Sequence, residues 1–354
     1  MSVFKPARRW QPAFYPFKKE KFSSRLLARI ELAVKGPVFG CRMCGNCLLQ
    51  ETAFICPMEC PKGLRNGPCG GVTREGNCYI DETRKCVWHA IYSKAKKMGR
   101  EELLLEVLPP LDWNKTGTET WGDVIRQIRV TGTSRFVKSL FSKDKKHKKE
   151  VWDSVFKTIR QPGWWNGDSQ YHAPSYTEPA SLLEKRLRAG EFVVATEVTP
   201  PLGANSAKLI REIGLVKPWV TVVNFTDSSS ANPKMSSMAG CKVAHDLNVE
   251  AVLQIAARDT SRTGLQSMVI GSSQFGVKNI LCITGDSPKA GPSPRGSMNF
   301  VDLDSVQMLW ILRRMRDEGI YLDGRKIKLN VSSVFSVIIN DNGSISNAQD
   351  IMTV

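Results

Sequence analysis

From Glu191 onward, apolar and polar positions come in blocks. Apolar, β-branched runs at Phe192 to Val198, Val220 to Phe225, Ala251 to Ile255 and Val277 to Ile283 each lead into a loop rich in Gly, Ser, Asp or Pro, then a helix-like segment. Their starts lie 26 to 31 residues apart, the period of consecutive βα units. Near-continuous apolar strands predict a parallel sheet with helices on its faces. Asp302 to Asp317 predicts a further helix, with Val306, Leu309, Trp310, Leu312 and Met315 as its apolar stripe and Asp302 or Asp304 as its cap. Ile327 to Ile339 is apolar enough for a fifth strand. A closed (β/α)8 barrel takes roughly 250 residues, and 164 follow Gly190. The expectation is an α/β fold, a partial (β/α)8 TIM barrel of about five βα units. Its open sheet edge would need cover from a partner.

The first half lacks that rhythm. Ser23 to Val34 predicts a helix capped by Ser23 or Ser24 and stopped at Gly36-Pro37. Its Leu26, Leu27, Ile30 and Val34 fall on one face, expected to cover the segment that follows. Val87 to Lys97 predicts a second helix with a basic end. Residues 109–185 read as a long connection opened by Pro109-Pro110, with helix-period patches at Gly122 to Ile128 and Val151 to Ile159. With Trp164, Trp165, Tyr171 and Tyr176, it is expected to drape over a neighbouring surface. The lysine run Lys143 to Lys149 reads as solvated linker. The expected organisation is 1–108, a small cysteine-rich metal-binding domain; 109–185, a basic and aromatic connection; and 186–354, the partial barrel.

Candidate chemistry sits in two places. At the strand ends stand Glu197, Thr226-Asp227, Arg258-Asp259 and Thr284-Gly285-Asp286, the end on which α/β folds build active sites. One such carboxylate alone reads as a helix cap; four polar clusters on successive strands point to a shared site. The other place is Cys41, Cys44, Cys47, Cys56, Cys60, Cys69, Cys78 and Cys86, eight of the ten cysteines within 46 residues. Two-residue gaps let thiolates converge on one metal, and eight suffice for two four-cysteine sites. Cys41-x2-Cys44-x2-Cys47 and Cys56-x3-Cys60-Pro61 look like the two halves of a ferredoxin run, which favours [4Fe-4S] clusters, with zinc as the alternative. A disulfide framework would need an oxidising compartment. His89, just past Cys86, reads as a packed or surface residue, and Cys241 and Cys282 as core.

Charge divides the chain. Residues 1–190 carry 34 Lys+Arg against 19 Asp+Glu, while residues 191–354 carry 16 against 15. The basic half suits an acidic partner or a polyanion. No run approaches the roughly 18 to 20 apolar residues of a membrane span, and the first residues contain no apolar signal segment; a cytoplasmic protein is expected.

These residues resemble a known family. Thr196-Glu197-Val198-Thr199-Pro200-Pro201, Asn224-Phe225-Thr226-Asp227 and Ile283-Thr284-Gly285-Asp286 are similar to the catalytic barrel of methylenetetrahydrofolate reductase. Cys56-Pro57-Met58-Glu59-Cys60-Pro61 through Arg65-Asn66-Gly67-Pro68-Cys69-Gly70-Gly71 resembles the cysteine-rich domain fused or subunit-linked to that barrel. The resemblance implies a flavoprotein, with FAD, that reduces the folate substrate 5,10-methylenetetrahydrofolate to 5-methyltetrahydrofolate. It implies Glu197 as general acid, Asp286 beside flavin and pterin, and Thr226, Gln254, Thr284 and Gly285 at the flavin. Many relatives carry arginine at the position of Thr284, and some carry histidine at that of Gln254. From Leu329 the match ends, as in a truncated or frame-shifted barrel. The implied partners are a ferredoxin-like or NAD(P)H-oxidising electron-donor protein, or a complete reductase subunit to which this chain is a non-catalytic metal-bearing partner. A zinc-ribbon-like nucleic-acid binder accounts for the charge but not for the βα repeats.

Overall fold

The computed structural model describes residues 22–156, 176–286, 291–292, 302–327 and 336–339. Residues 1–21, 157–175, with Trp164, Trp165 and Tyr171, and 340–354 lie outside the described residues. The described chain falls into two compact units, one of 22–67 with 72–156, the other of 68–71 with the residues from 176 on. Among the described residues no helix is long and apolar enough to cross a membrane.

The first unit opens with α1, Phe22–Phe39. Two expectations are corrected here. The helix runs through Gly36-Pro37, because a proline so near the end removes only one helical hydrogen bond. It ends at Gly40, whose left-handed backbone (φ 64°) lets Gly40 N and Cys41 N donate to Gly36 O and Lys35 O. The buried face is also not the apolar one. Leu26, Ile30 and Val34 are exposed, while Ala28, Glu31 and Lys35 are buried. The charged pair has partners that the leucines lack.

A loop region of cysteines and turns follows, then a short antiparallel pair, β1 (Asn77–Cys78) and β2 (Asp81–Lys85). α2, Val87–Met98, buries Val87, Trp88, Ile91 and Ala95 and ends on Gly99 (φ 60°). Asn46 and Asn66 each bind a distant backbone through both ends of the amide. Asn46 spans the N–H and carbonyl of Asp112, and Asn66 those of Leu108. Those two clamps hold 108–112 onto the cysteine loops, and Pro109-Pro110 is buried. Three helices follow: α3 (Trp121–Thr131), α4 (Thr133–Phe141) and α5 (Lys145–Phe156). The lysine run forms the first turns of α5 instead of a linker. Trp152 of α5 packs against Phe54, Phe136 and Phe156 with ring centroids 5.0–6.4 Å apart, anchoring this stretch within the first unit.

The second unit is a βα array. α6 (Leu182–Arg188) precedes β3 (Ala195–Val198), α7 (Ala207–Val216), β4 (Val222–Phe225), α8 (Ser237–Asp246), β5 (Ala251–Ala256), α9 (Arg262–Gln274), β6 (Asn279–Ile283), α10 (Ser305–Asp317) and β7 (Ser336–Ile339). The strands pair in parallel in sequence order, with β3 and β7 at the edges. β5 and β6 are buried at every position, as continuous apolar strands between helical layers must be. Val222, Val252, Leu281 and Ile283 pack with Leu183 in one core cluster. Cys241 and Cys282 are fully buried core residues. Asp304 caps α10 in a reciprocal capping box with Gln307.

Candidate functional site

In the second unit the strand ends bring the sequence-predicted residues to one edge of the sheet. Glu197 and Asn224 occupy paired register positions on β3 and β4, and Asn224 Nδ2 donates to Glu197 Oε2 over 3.3 Å. Asn224 Oδ1 is buried without a partner. Glu197 itself is exposed and lines a groove of about 830 Å³ with Thr199, Pro200, Lys208 and Lys234. Thr226 and Thr284 are buried, and each hydroxyl meets only a long contact of 3.4 Å, to Thr199 and Ser305. Good hydroxyl hydrogen bonds lie nearer 2.7–2.8 Å, so both groups can still serve a ligand. Gln254 Oε1 accepts from Asp227 N (3.0 Å), and Asp227 Oδ2 accepts from Ala256 N (2.9 Å). Burial raises the Asp227 pKa, with nearby Asp259 adding and the Ala256 N–H and Arg258 opposing.

Beyond β6, Gly285 adopts φ 85°, and a Cβ there would meet Ala256 and Arg258 at 3.2 Å. Asp286 Oδ2 accepts from Ser230 N at 2.7 Å. Arg258, with its side chain 5 % exposed, donates to the carbonyls of Asp286 and Ser228 and pairs with Asp259. Pattern reading placed Asn224 in a motif and Arg258 at a strand end, but the register pairing and the carbonyl contacts become visible only with the strands aligned.

In the first unit, four of the eight predicted thiols share one cavity. Cys41, Cys44, Cys47 and Cys56 line a space of about 30 Å³ together with Glu31, Lys35, Arg42 and Arg65. Cys60 and Cys78 are buried, Cys69 and Cys86 half-buried, and none of them lines that space. Among the described residues no group of three or more His, Cys, Asp or Glu is arranged as a metal site; the four thiols share the walls of the cavity. Burial pushes the Cys41 thiol up to about 12 and raises those of Cys44 and Cys56. Burial pulls the Lys35 ammonium down, but Cys47 and Glu31 outweigh it and the net shift is upward. Lys35 and Glu31 carried no signal in the sequence beyond an i, i+4 pair of opposite charge.

A family model described as methylenetetrahydrofolate reductase matches residues 182–311. A second, described as methylene-tetrahydrofolate reductase C terminal, matches residues 22–114. Together they span more than half the chain. The chain belongs to the methylenetetrahydrofolate reductase family. Among curated proteins no match is found.

Membership in the methylenetetrahydrofolate reductase family implies a flavin, and the strand-end donor set fits one. Two hydroxyls held only by long contacts, the Gln254 amide and a carboxylate stand at the ends of adjacent strands. The reductase family match also takes in every thiol of the cavity. The cavity's donor set is chemically of the kind that thiolate-bound metals take: four soft sulfurs beside the buried Arg42 guanidinium, which has no hydrogen-bond partner among the described residues.

Proposed function

We propose that this chain is a flavin-dependent oxidoreductase, or a subunit of one, that reduces 5,10-methylenetetrahydrofolate to 5-methyltetrahydrofolate. The observation that carries this reading is the Glu197–Asn224 pair on the wall of the strand-end groove. Glu197 would give the proton that goes to the substrate amine as the methylene bridge opens, with Asn224 Nδ2 donating to Oε2 and fixing the carboxyl. Thr226, Gln254, Thr284, Gly285 and Asp286 would hold FAD, which when bound supplies the hydride. Asp286 also orders the Ser230 turn that borders the site.

The first unit is read as an electron-transfer module. Cys41, Cys44, Cys47 and Cys56 would ligate an iron–sulfur centre, zinc being the alternative, and Cys60, Cys78 and Cys86 are the further candidate ligands of this unit. A ferredoxin-like donor would dock on the basic half of the chain, so its binding should weaken with salt.

A second reading, a metal-bearing partner of a complete reductase subunit, draws support from β3. It is an edge strand, Phe192 beside it is 90 % exposed, and Leu202, Leu215 and Trp219 are exposed nearby in sequence.

One preparation tests both. Protein purified without oxygen is assayed for methylenetetrahydrofolate reduction with a reduced viologen as donor, and its visible spectrum and iron content are recorded. Turnover with flavin bands supports the enzyme. Loss of both, with activity appearing only when a complete reductase subunit is added, moves the assignment to the partner reading.

A further inference from the structure

The polar face of α1 is turned inward, toward the thiols. Lys35 and Glu31 are 8 % and 2 % exposed and form a 2.5 Å ion pair. Lys35 Nζ also donates to Thr120 Oγ1 (2.9 Å) and lies 3.7 Å from Cys47 Sγ, within N–H···S range. It sits over the Trp121 ring at 5.8 Å. Glu31 accepts in turn from Thr120 N, Thr120 Oγ1 and Trp121 N at 2.6–3.2 Å, so both charges are held in place by the start of α3. Arg42, 3 % exposed, lines the same cavity; its three guanidinium nitrogens make no hydrogen bond among the described residues, and Glu59, Cys56, Cys44 and Cys60 are the groups whose charge acts on it. Buried cations facing sulfur are costly unless the sulfurs carry negative charge.

We propose that Lys35 is a positioning residue for an iron–sulfur centre held by Cys41, Cys44, Cys47 and Cys56, and that the Lys35–Glu31 pair sets its reduction potential. This rests on the iron–sulfur reading of the first unit. One-electron reduction by an external one-electron donor adds one negative charge to the centre. An ammonium donating to a ligand sulfur favours that charge, and a carboxylate behind it opposes it. Net charge and hydrogen bonds to sulfur are the protein's ordinary means of moving such potentials.

The two members of the pair therefore push in opposite directions, which simple damage to packing would not do. The test uses the full chain purified without oxygen, titrated with dithionite in the presence of low-potential mediators and followed by electron paramagnetic resonance. At the wild-type midpoint, Lys35→Met is expected to lower the ratio of reduced to oxidised centre about tenfold, about 59 mV for one electron. Glu31→Gln is expected to raise it, and Lys35→Arg to stay within about twofold, as retention of the charge requires. Iron per chain is expected to be unchanged in all three. If Lys35→Met loses its iron, Arg42→Gln takes its place as the lowering variant. Shifts of the same sign in the cation and carboxylate variants, or no shift, overturn the proposal alone. Wild-type protein carrying zinc, or no iron, overturns the iron–sulfur reading and the proposal with it.

Discussion

Asn224 Nδ2 donates to Glu197 Oε2 across 3.3 Å, at paired register positions of two neighbouring parallel strands. Glutamine at 197 keeps the shape and the hydrogen-bonding partner but has no proton to give. Glu197→Gln is expected to lower turnover about 10²- to 10⁴-fold with the flavin spectrum unchanged. Asn224→Ala leaves the acid in place but unfixed, and its loss should be smaller, about tenfold or about 1.4 kcal/mol in the barrier. Steady-state kinetics on both variants tests the proposed roles of Glu197 as proton donor and Asn224 as its support.

Asp286 ties down an unusual turn. Ser228, Ser230 and Ala231 all carry positive φ, at 45°, 56° and 54°, and the carboxylate accepts from the middle of that turn at 2.7 Å. Removal of the acceptor in Asp286→Ala leaves the exposed Ser230 N–H to water and should cost about 0.5–1.5 kcal/mol and speed amide exchange at 228–231. Asp286→Asn retains an oxygen and should lose much less. Hydrogen exchange on the two variants checks the difference.

Asp227 has its folded-state pKa raised above the ordinary carboxylate value, chiefly by burial. A raised value means that the native state binds the proton more tightly. The associated stability is present below the unfolded value near 3.8 and is lost as pH rises through the folded one. At pH 7 the ionised group is thus a burden that asparagine does not carry, while the amide oxygen can still accept from Ala256 N. Asp227→Asn is expected to be more stable than wild type at neutral pH, with the gap closing as pH falls through the raised folded value and gone below the unfolded value near 3.8. Urea midpoints measured across pH 3–7 test this.

Gly45 lies between Cys44 and Cys47 with φ 66°, and a Cβ there would come 1.9 Å from Lys115 O. Gly45→Ala has to strain the backbone and push 115–118 off the cysteine loop, at a cost of about 2–5 kcal/mol. Gly203, with open space around it and no positive φ, should accept alanine with little change. Denaturation monitored by tryptophan fluorescence, with metal content measured alongside, distinguishes the two.

Much of the second unit was legible because its signals are local. Apolar runs bounded by loop residues located β4, β5 and β6 to within a few residues, and Asp304 was among the expected caps of α10. The boundaries of α2 were legible for the same reason, with glycine following its last turn. The strand-end residues were legible as a set, since parallel strands must finish on the same side. Which of them touch was not: Asn224 meets Glu197 and Gln254 meets Asp227 across 27 positions of sequence.

The first unit shows the opposite balance. A Glu-Lys pair one helical turn apart has the same pattern whether it is wet or buried, so α1 was expected to bury its leucines. Contacts 85 to 90 residues away, at Thr120 and Trp121, choose the charged face instead. The same holds for 108–156. Read alone the stretch is a basic connection expected to drape over some surface; Asn46, Asn66 and Phe54 show that the surface is the cysteine loops. The sequence by itself determined the parallel βα order, the family and the inventory of thiols, because those depend on residue types at short spacing. Only the tertiary structure decided which four thiols share a cavity and which cations face them, because long-range packing selects the partners of a buried charge.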